Sequence, residues 1–420
     1  MIKRAEPLFK EMSLLAWAVL IFLIGTAILE LQKPALDMAA CAKELLFAAG
    51  IFVFQIIVRF INKEGDTYLF PLIMALCGIG MVLIYRLAPK LFFMQMQWVV
   101  LGVFIFCLSS IFFRRLGDLI HYKYLIGLIG VVLLLSAIIF GTEIGGSKSW
   151  IILGPIRFQP SEFAKLCIIF FLGAYLVEHK RVLATTGFKL GPFSVPSFRF
   201  IAPLIAIWSL AVLMFLLQRD LGSALLFFGI AVSMTYMANG NLSYVAIAGL
   251  FFSLSSVISY FLFSHVRVRV AIWQNPWLDP NGQAYQIVQS LVAIGSGGIL
   301  GTGLGLGNPD YIPEVHTDFI FAAAAEELGL AGACAIILIY ILIVYRGYRI
   351  SLAAKNEMEM LVAAGITSCM ALQVFTIIAG VTKLIPLTGI TMPFISYGGS
   401  SIVVNFIMAG LLFALSGKRQ

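Results

Sequence analysis

The chain has 420 residues, of which 61% are hydrophobic and only 11% charged, against roughly 25% charged in an average soluble domain. Such a composition implies one membrane-embedded helical bundle and leaves no segment suited to fold alone as a soluble domain. The formal net charge is +8, but the basic residues are scattered rather than gathered in a stripe, which argues against nucleic acid as a partner.

A stretch of about 20 apolar residues crosses a bilayer as a helix. In chain order this predicts spans at 13–31, 43–61, 68–86, 97–113, 123–141, 161–178, 199–217, 221–238, 243–264, 319–345, 359–382 and 390–416. The expected fold is therefore all-α, a polytopic bundle of about twelve spans. Lys3, Arg4 and Lys10 precede the first apolar run, which is longer than a signal-peptide core and lacks a small-residue cleavage site, so an uncleaved first helix is expected. Only Met237–Leu242 separates spans eight and nine, a tight helical hairpin. With the N-terminus inside, 17 of the 28 Lys and Arg residues fall on inner segments, as the positive-inside rule requires. Both termini are then cytoplasmic. Two loops fall outside: Thr142–Ser161, and the long segment His265–Thr317 between spans nine and ten. The second is far longer than ordinary connections, and its Trp273, Pro276, Trp277 and many glycines suit an ordered functional loop.

Several motifs can be set aside. The six cysteines, Cys41, Cys77, Cys107, Cys167, Cys334 and Cys369, share no metal-ligand spacing and lie mostly in apolar runs, so they read as packing residues. The histidines His121, His179, His265 and His316 are too scattered for a metal motif. Gly295–Gly298 and Gly301, Gly303, Gly305 and Gly307 follow no strand of a βαβ unit, and Asn308-Pro309 stands where a phosphate loop has Lys-Ser/Thr. Nucleotide binding is rejected; close approach to a ligand or a tight re-entrant turn stays open. Phe394–Ser401 is rich in small residues and reads first as a helix-packing surface. No internal repeat is visible, which weighs against a transporter built on inverted repeats.

Charges near membrane depth cost about 2.5 to 3.5 kcal/mol each on insertion scales and call for a functional hypothesis. Glu162 and Lys165, at i and i+3, share a helix face; they form a local ion pair or the wall of a cavity for an anionic headgroup. Arg219 and Asp220 are adjacent at the outer surface, with Asp220 a cap for the next helix and Arg219 a lesser candidate for a phosphate contact. Asp318 stands where a polar loop becomes an apolar helix, and Glu326 lies about two turns further on, followed by Glu327. A carboxylate there meets water on one side and low dielectric on the other, which raises its proton affinity and suits a general base. A role for Asp318 or Thr317 as a helix cap is the alternative.

Together these pieces resemble the SEDS family of bacterial shape, elongation, division and sporulation proteins (RodA/FtsW/SpoVE-like). The resemblance rests on Ser149-Trp150, Phe158–Lys165, Gln218–Ser223, Tyr285–Ser290, Pro313–Phe321, Glu326–Gly329, Pro386–Gly389 and Met392–Ser401, in family order from about residue 140 to the C-terminus. Five spans precede Trp150 where better-known members have three, so residues 1–90 are expected to hold an extra helix pair and 91–420 the catalytic core, as in RodA-like members with added N-terminal helices. Ser149, Arg219 and Thr376 replace the family's usual Arg, Pro and Asn.

The resemblance implies a peptidoglycan glycosyltransferase that polymerises lipid II at the outer membrane face, in elongation, division or sporulation. Asp318 matches the family's essential aspartate, and Glu162 and Lys165 match its Gln-Pro-Ser-Glu motif. In this reading Asp318 is the base, and Lys165, oriented by Glu162, stabilises the leaving pyrophosphate with help from Arg157, Arg267 or Arg269. Gln159, Ser161, Gln289, Ser290, His316, Thr317, Ser396, Gly398 and Ser400 are candidate substrate contacts, and Trp150, Asp220, Glu326 and Glu327 supports. No cofactor is assigned; a divalent cation, Mg or Mn, held by carboxylates and pyrophosphate stays open. The implied partners are lipid II, undecaprenyl-pyrophosphate-linked glycan, membrane lipids and a class B penicillin-binding protein acting as transpeptidase. A lipid II flippase and a noncatalytic scaffold for a transpeptidase are the rival readings.

Overall fold

In the computed structural model of the chain, the structure describes residues 2–34, 37–112, 120–144, 147–154, 156–184, 186–190, 193–196, 205–206, 208–210 and 217–417. Among them, eleven helices are long and apolar enough to cross a membrane. They fall on eleven of the predicted spans; the remaining one, 199–217, lies largely outside the described residues.

The spanning helices are α1 (Ile2–Leu31), α2 (Met38–Ile61), α3 (Leu69–Leu87), α4 (Pro89–Phe112), α5 (Lys123–Phe140), α6 (Pro160–Ala184), α7 (Leu221–Asn239) and α8 (Leu242–Leu262). Two shorter helices, α9 (Ser264–Gln274) and α10 (Tyr285–Gly297), lead to α11 (Ile320–Leu352), α12 (Glu357–Val381) and α13 (Gly399–Ser416). Helices α3, α12 and α13 are the most enclosed, with most of their side chains buried, while α5 and α8 face outward along most of their length. Local chemistry explains several ends. Asp220 caps α7 through the Ser223 N–H at 3.0 Å, Gly240 at φ 67° ends it, and Asn241 caps α8 through the Ser243 N–H. The predicted hairpin is thus tighter than its six-residue reading, with only Gly240 and Asn241 between the two helices.

At one end of the bundle, Arg346 of α11 pairs with Asp66, whose N–H donates to Ser416 of α13 at 2.8 Å. Arg59 of α2 lies 3.2 Å from Glu11 of α1. Each buried carboxylate here has a cation, as low dielectric demands.

The opposite end departs from a plain helical reading in three places. Residues 142–158 form an antiparallel meander of β1 (Thr142–Ile144), β2 (Ser147–Leu153) and β3 (Ile156–Phe158), since their β-branched and aromatic residues favour extended backbone. A second small hairpin, β4 (Thr186–Leu190) with β5 (Phe193–Pro196), follows the far end of α6, at the other end of the bundle, where Lys180 pairs with Glu357, and is not one of the three. The predicted span 390–416 becomes helical only at Gly399. Pro393 lacks an N–H and biases Met392 away from helical backbone, so an apolar but non-helical turn precedes α13.

The third departure is the glycine-rich stretch, which forms the tight turn that the sequence left open. Helix α11 breaks at Gly329, which adopts φ 68° and ψ −171°. The break orphans backbone groups on either side, and residues 298–303 satisfy them. Thr302 and Gly303 donate to the carbonyls of Glu326 and Glu327 at 2.9 and 3.1 Å. Leu330 and Ala331 donate in return to those of Gly298 and Ile299 at 2.9 and 3.1 Å. Side chains complete the lock: Glu326 accepts from the Asn308 N–H at 2.8 Å and Glu327 from the Gly305 N–H at 3.1 Å. Arg86 of α3 binds Glu327 and the Gly307 carbonyl.

Backbone approach this close leaves no room for a methyl group. A Cβ on Gly301 would lie 2.2 Å from the Glu327 carbonyl oxygen, and one on Gly329 2.3 Å from the Gly301 nitrogen. Gly301→Ala and Gly329→Ala should each destabilise by about 3 kcal/mol or more. Thermal unfolding in detergent, with Gly295→Ala as a neutral control because nothing lies within 4 Å of its added Cβ, checks this; equal midpoints for all three would contradict it.

Candidate active site

The site is built around the segment 383–398, which links α12 to α13 without forming a helix. Its backbone and hydroxyls are held by side chains from several elements. Gln373 of α12 donates to the Thr391 carbonyl at 2.7 Å, and Gln95 of α4 to that of Ser396 at 3.3 Å. Arg269 of α9 donates to the Leu387 carbonyl at 2.9 Å and reaches that of Thr388 at 3.5 Å. Ser396 takes the Met392 N–H and gives its own proton to the Thr317 carbonyl at 2.5 Å. The Tyr397 N–H donates to His316 at 2.9 Å. The turn is thereby stapled to His316-Thr317-Asp318.

Asp318 precedes α11 and does not cap it: the N-terminal cap position is Phe319, with no side-chain hydrogen bond. Thr317 does not cap the helix either; its hydroxyl lies 3.0 Å from the Asp318 carboxylate. The Asp318 side chain looks toward Gly389, whose Cβ, if present, would stand 3.9 Å from Oδ2. The residue keeps some solvent contact although dense protein surrounds it. Burial pushes its pKa from 3.8 to about 6, against the opposing pull of the Thr317 hydrogen bond and Arg269. His316 is half-buried, and burial lowers its pKa, so the imidazole is neutral beside Tyr397.

The second part of the site lies at the start of α6. Lys165 is 1% exposed, 2.9 Å from Glu162 and 3.2 Å from the Gln373 side-chain oxygen. Gln373 therefore couples Lys165 to the 383–398 turn. Asp220 is buried, accepts from the Ser223 N–H and hydroxyl at 3.0 and 2.7 Å, and has its pKa raised by burial. Ser223 lies 3.4 Å from Ser161, so α6 and α7 meet here through hydroxyls. Arg269 lies within electrostatic reach of both Asp220 and Asp318.

The other candidate residues sort by their partners. Ser400 donates to the Arg157 carbonyl and accepts from the Gln159 N–H, both at 3.2 Å, tying β3 to α13. Ser290 is buried and donates to the Val381 carbonyl at 3.0 Å, fixing α10 against the end of α12. Gln289 is half-buried beside it, and Gly398 immediately precedes α13. Trp150 pairs with Thr142 in the meander, while Arg219, at φ 58°, faces out and lies 3.4 Å from Glu143. Glu326 and Glu327 hold the glycine-rich turn rather than face Asp318. Among the described residues no three His, Cys, Asp or Glu side chains converge as a metal cage.

Sequence reasoning missed a cavity of about 160 Å³ next to Arg269, lined also by Trp273, Gln283, Gln286 and Lys383. A lysine just past a predicted span was the available signal, but topology accounts equally well for a cation there.

Comparison with known proteins follows the same outline. The FtsW/RodA/SpoVE model, described as a cell cycle protein, matches residues 67–420. The peptidoglycan glycosyltransferase RodA of Mycobacterium tuberculosis is 39% identical over 378 residues, 86% of this chain and 80% of that protein. The protein of the same name from Mycobacterium leprae is 36% identical over 97% of this chain and 90% of its own length. A solved chain from a peptidoglycan synthase complex that coordinates polymerization and crosslinking matches with TM-score 0.69 and 28% identity, over 84% of this chain and 97% of its own. The family match begins just before α3 and runs through every element of the site, so the chain belongs to the FtsW, RodA and SpoVE family of cell cycle proteins.

Proposed function

We propose that this peptidoglycan glycosyltransferase polymerises lipid II at the outer membrane face, with Asp318 as general base. The observation that carries the reading is the placement of one carboxylate, with a raised pKa, at the polar mouth of an apolar bundle. Asp318 takes the proton of the acceptor's GlcNAc 4-hydroxyl as that oxygen attacks the donor's anomeric carbon. The new glycosidic bond replaces the bond from that carbon to the diphosphate, which leaves with the electron pair. A pKa near 6 suits this step, because the group is mostly ionised at neutral pH yet still holds a proton well.

Lys165 and Glu162 form an enclosed pair, and Gln373 carries their influence to the 383–398 turn. Such an enclosed pair fits an anchored site better than the lining of a flippase passage. Among the described residues no metal cage forms, and in this reading Mg or Mn would enter with the substrate diphosphate. The termini are assigned to the cytoplasm. A class B penicillin-binding protein is the proposed partner, by analogy with the synthase complex whose chain this one matches. Helices α1 and α2, which precede the family match, brace the outer end: Gln32 donates to the Leu304 carbonyl at 2.9 Å, and Lys33 to the Tyr85 hydroxyl at 2.6 Å.

Purified protein should convert lipid II to glycan, and Asp318→Asn should lose at least 100-fold in kcat. For the wild type, kcat/KM should fall tenfold per pH unit below about 6. An Asp318→Asn protein that folds and polymerises normally would remove the base assignment. Stability has the opposite sign. A carboxyl whose folded pKa is raised contributes stability below its unfolded value and loses that contribution as pH rises through about 6. Asp318→Asn should therefore be more stable than wild type at pH 8, by about 2 kcal/mol after allowance for solvent contact. Thermal unfolding at pH 5 and pH 8 measures the difference.

Lys165→Met should cost about 3 kcal/mol or more, because it strands Glu162 in low dielectric. Adding Glu162→Gln should recover most of that stability without restoring polymerisation. Full activity in the double variant would show that the pair only fills space.

A further inference from the structure

Joining two lipid-linked sugars requires two diphosphates to be held at once, one that leaves and one that stays on the acceptor. The enclosed Lys165 has its charge matched by Glu162, so further cations for a diphosphate must be sought elsewhere. They meet in the 160 Å³ cavity between α9, α10 and the end of α12.

Its polar wall has donors to spare. Lys383, Gln283 and Gln286 use none of their side-chain nitrogens on a described residue, and Arg269 spends one nitrogen on the Leu387 and Thr388 carbonyls. The rest of the lining is largely apolar, with Ile272, Ile287, Ile385 and the Trp273 ring. The Trp273 indole donates to the Lys383 carbonyl at 3.2 Å and fixes that backbone. The volume is close to that of a cavity that admits benzene, about 150 Å³, which suits a diphosphate and the start of a prenyl chain but not a disaccharide.

The backbone at Lys383 is the independent observation. This residue follows the cap of α12 with φ 62°, the left-handed position that glycine ordinarily fills after a helix. Non-glycine residues persist in such backbone where the surroundings hold them, often at ligand clamps. Here a lysine stands at that position and lines the cavity with Arg269.

We infer that this cavity binds the diphosphate of a lipid-linked substrate through Arg269, Lys383, Gln283 and Gln286, with its isoleucine wall receiving the first prenyl units. This assignment rests on the polymerase reading for its choice of ligand. Charge-assisted hydrogen bonds supply the affinity, and the apolar wall distinguishes a prenyl diphosphate from the free ion.

Lys383→Gly is the informative variant, since it removes the cation and relieves the left-handed backbone, so it is expected to fold at least as well as wild type. Titration calorimetry with farnesyl diphosphate at neutral pH should give Asp318→Asn an affinity at least equal to that of wild type, because a negative charge is removed nearby, and Lys383→Gly an affinity about tenfold weaker. Inorganic pyrophosphate should bind more weakly than farnesyl diphosphate. Equal affinity of wild type and Lys383→Gly for farnesyl diphosphate, or equal affinity of wild type for both ions, overturns the assignment. In polymerisation, Lys383→Gly should raise KM about tenfold for the lipid whose diphosphate sits here, with kcat kept if that is the acceptor and lowered if it is the leaving donor; varying donor and acceptor separately identifies which. A wild type that makes no polymer but still binds farnesyl diphosphate through Lys383 would sustain the cavity and refute the polymerase reading.

Discussion

Backbone that leaves the helix at membrane depth has no water to bind and must find every partner within the protein. That constraint organises the outer end of this molecule. Two non-helical stretches enter there, 298–308 and 383–398, and each is saturated by groups that the helices supply. The break at Gly329 exposes two carbonyls and two N–H groups, and the glycine-rich turn takes up all four. The 383–398 turn is held by Gln95, Gln373, Arg269 and the Ser396 hydroxyl. Asp318 is positioned because the residue before it is one of those partners.

The same constraint explains why so many polar residues here already have partners within the protein. Glu326, Glu327 and Arg86 bond one another or the glycine-rich turn. Ser290 and Ser400 bond carbonyls across element boundaries. A motif of polar residues in such a chain therefore mixes chemistry with scaffolding. Among the described residues the Lys165 ammonium already has protein partners and the Lys383 ammonium has none.

The helices were legible because about 20 apolar residues in a row admit few other structures. The tight hairpin was legible for the same reason, with Asn239-Gly240-Asn241 as punctuation. Hydropathy failed at 390–398, where an apolar turn and an apolar helix have the same composition; Pro393 was the only local sign. The β-meander at 142–158 was hidden because β1 and β3 are three residues each and too short for periodicity, and the seven-residue β2, Ser147–Leu153, ends in the apolar run Trp150–Leu153 rather than alternating. Asp318, Glu162 and Lys165 could be singled out by the cost of charge at their depth, and the resemblance gave them roles. The cavity at Arg269 and Lys383 could not be foreseen. It joins residues more than a hundred positions apart, and a left-handed lysine leaves no mark in a sequence.

Charge balance suggests how the site works in sequence. The pair Glu162–Lys165 is neutral, and Arg269 lies within electrostatic reach of both Asp220 and Asp318. Even so, Asp318 is poised near pH 6 mainly by burial. A diphosphate in the cavity adds negative charge and removes water, and both raise the proton affinity of a nearby carboxylate. In the proposed mechanism the substrate would thus strengthen the base that acts on it, and departure of one diphosphate would reverse the effect. A base tuned by burial alone would be equally strong before and after transfer; one tuned also by its substrate's charge is strongest when a sugar is present to react.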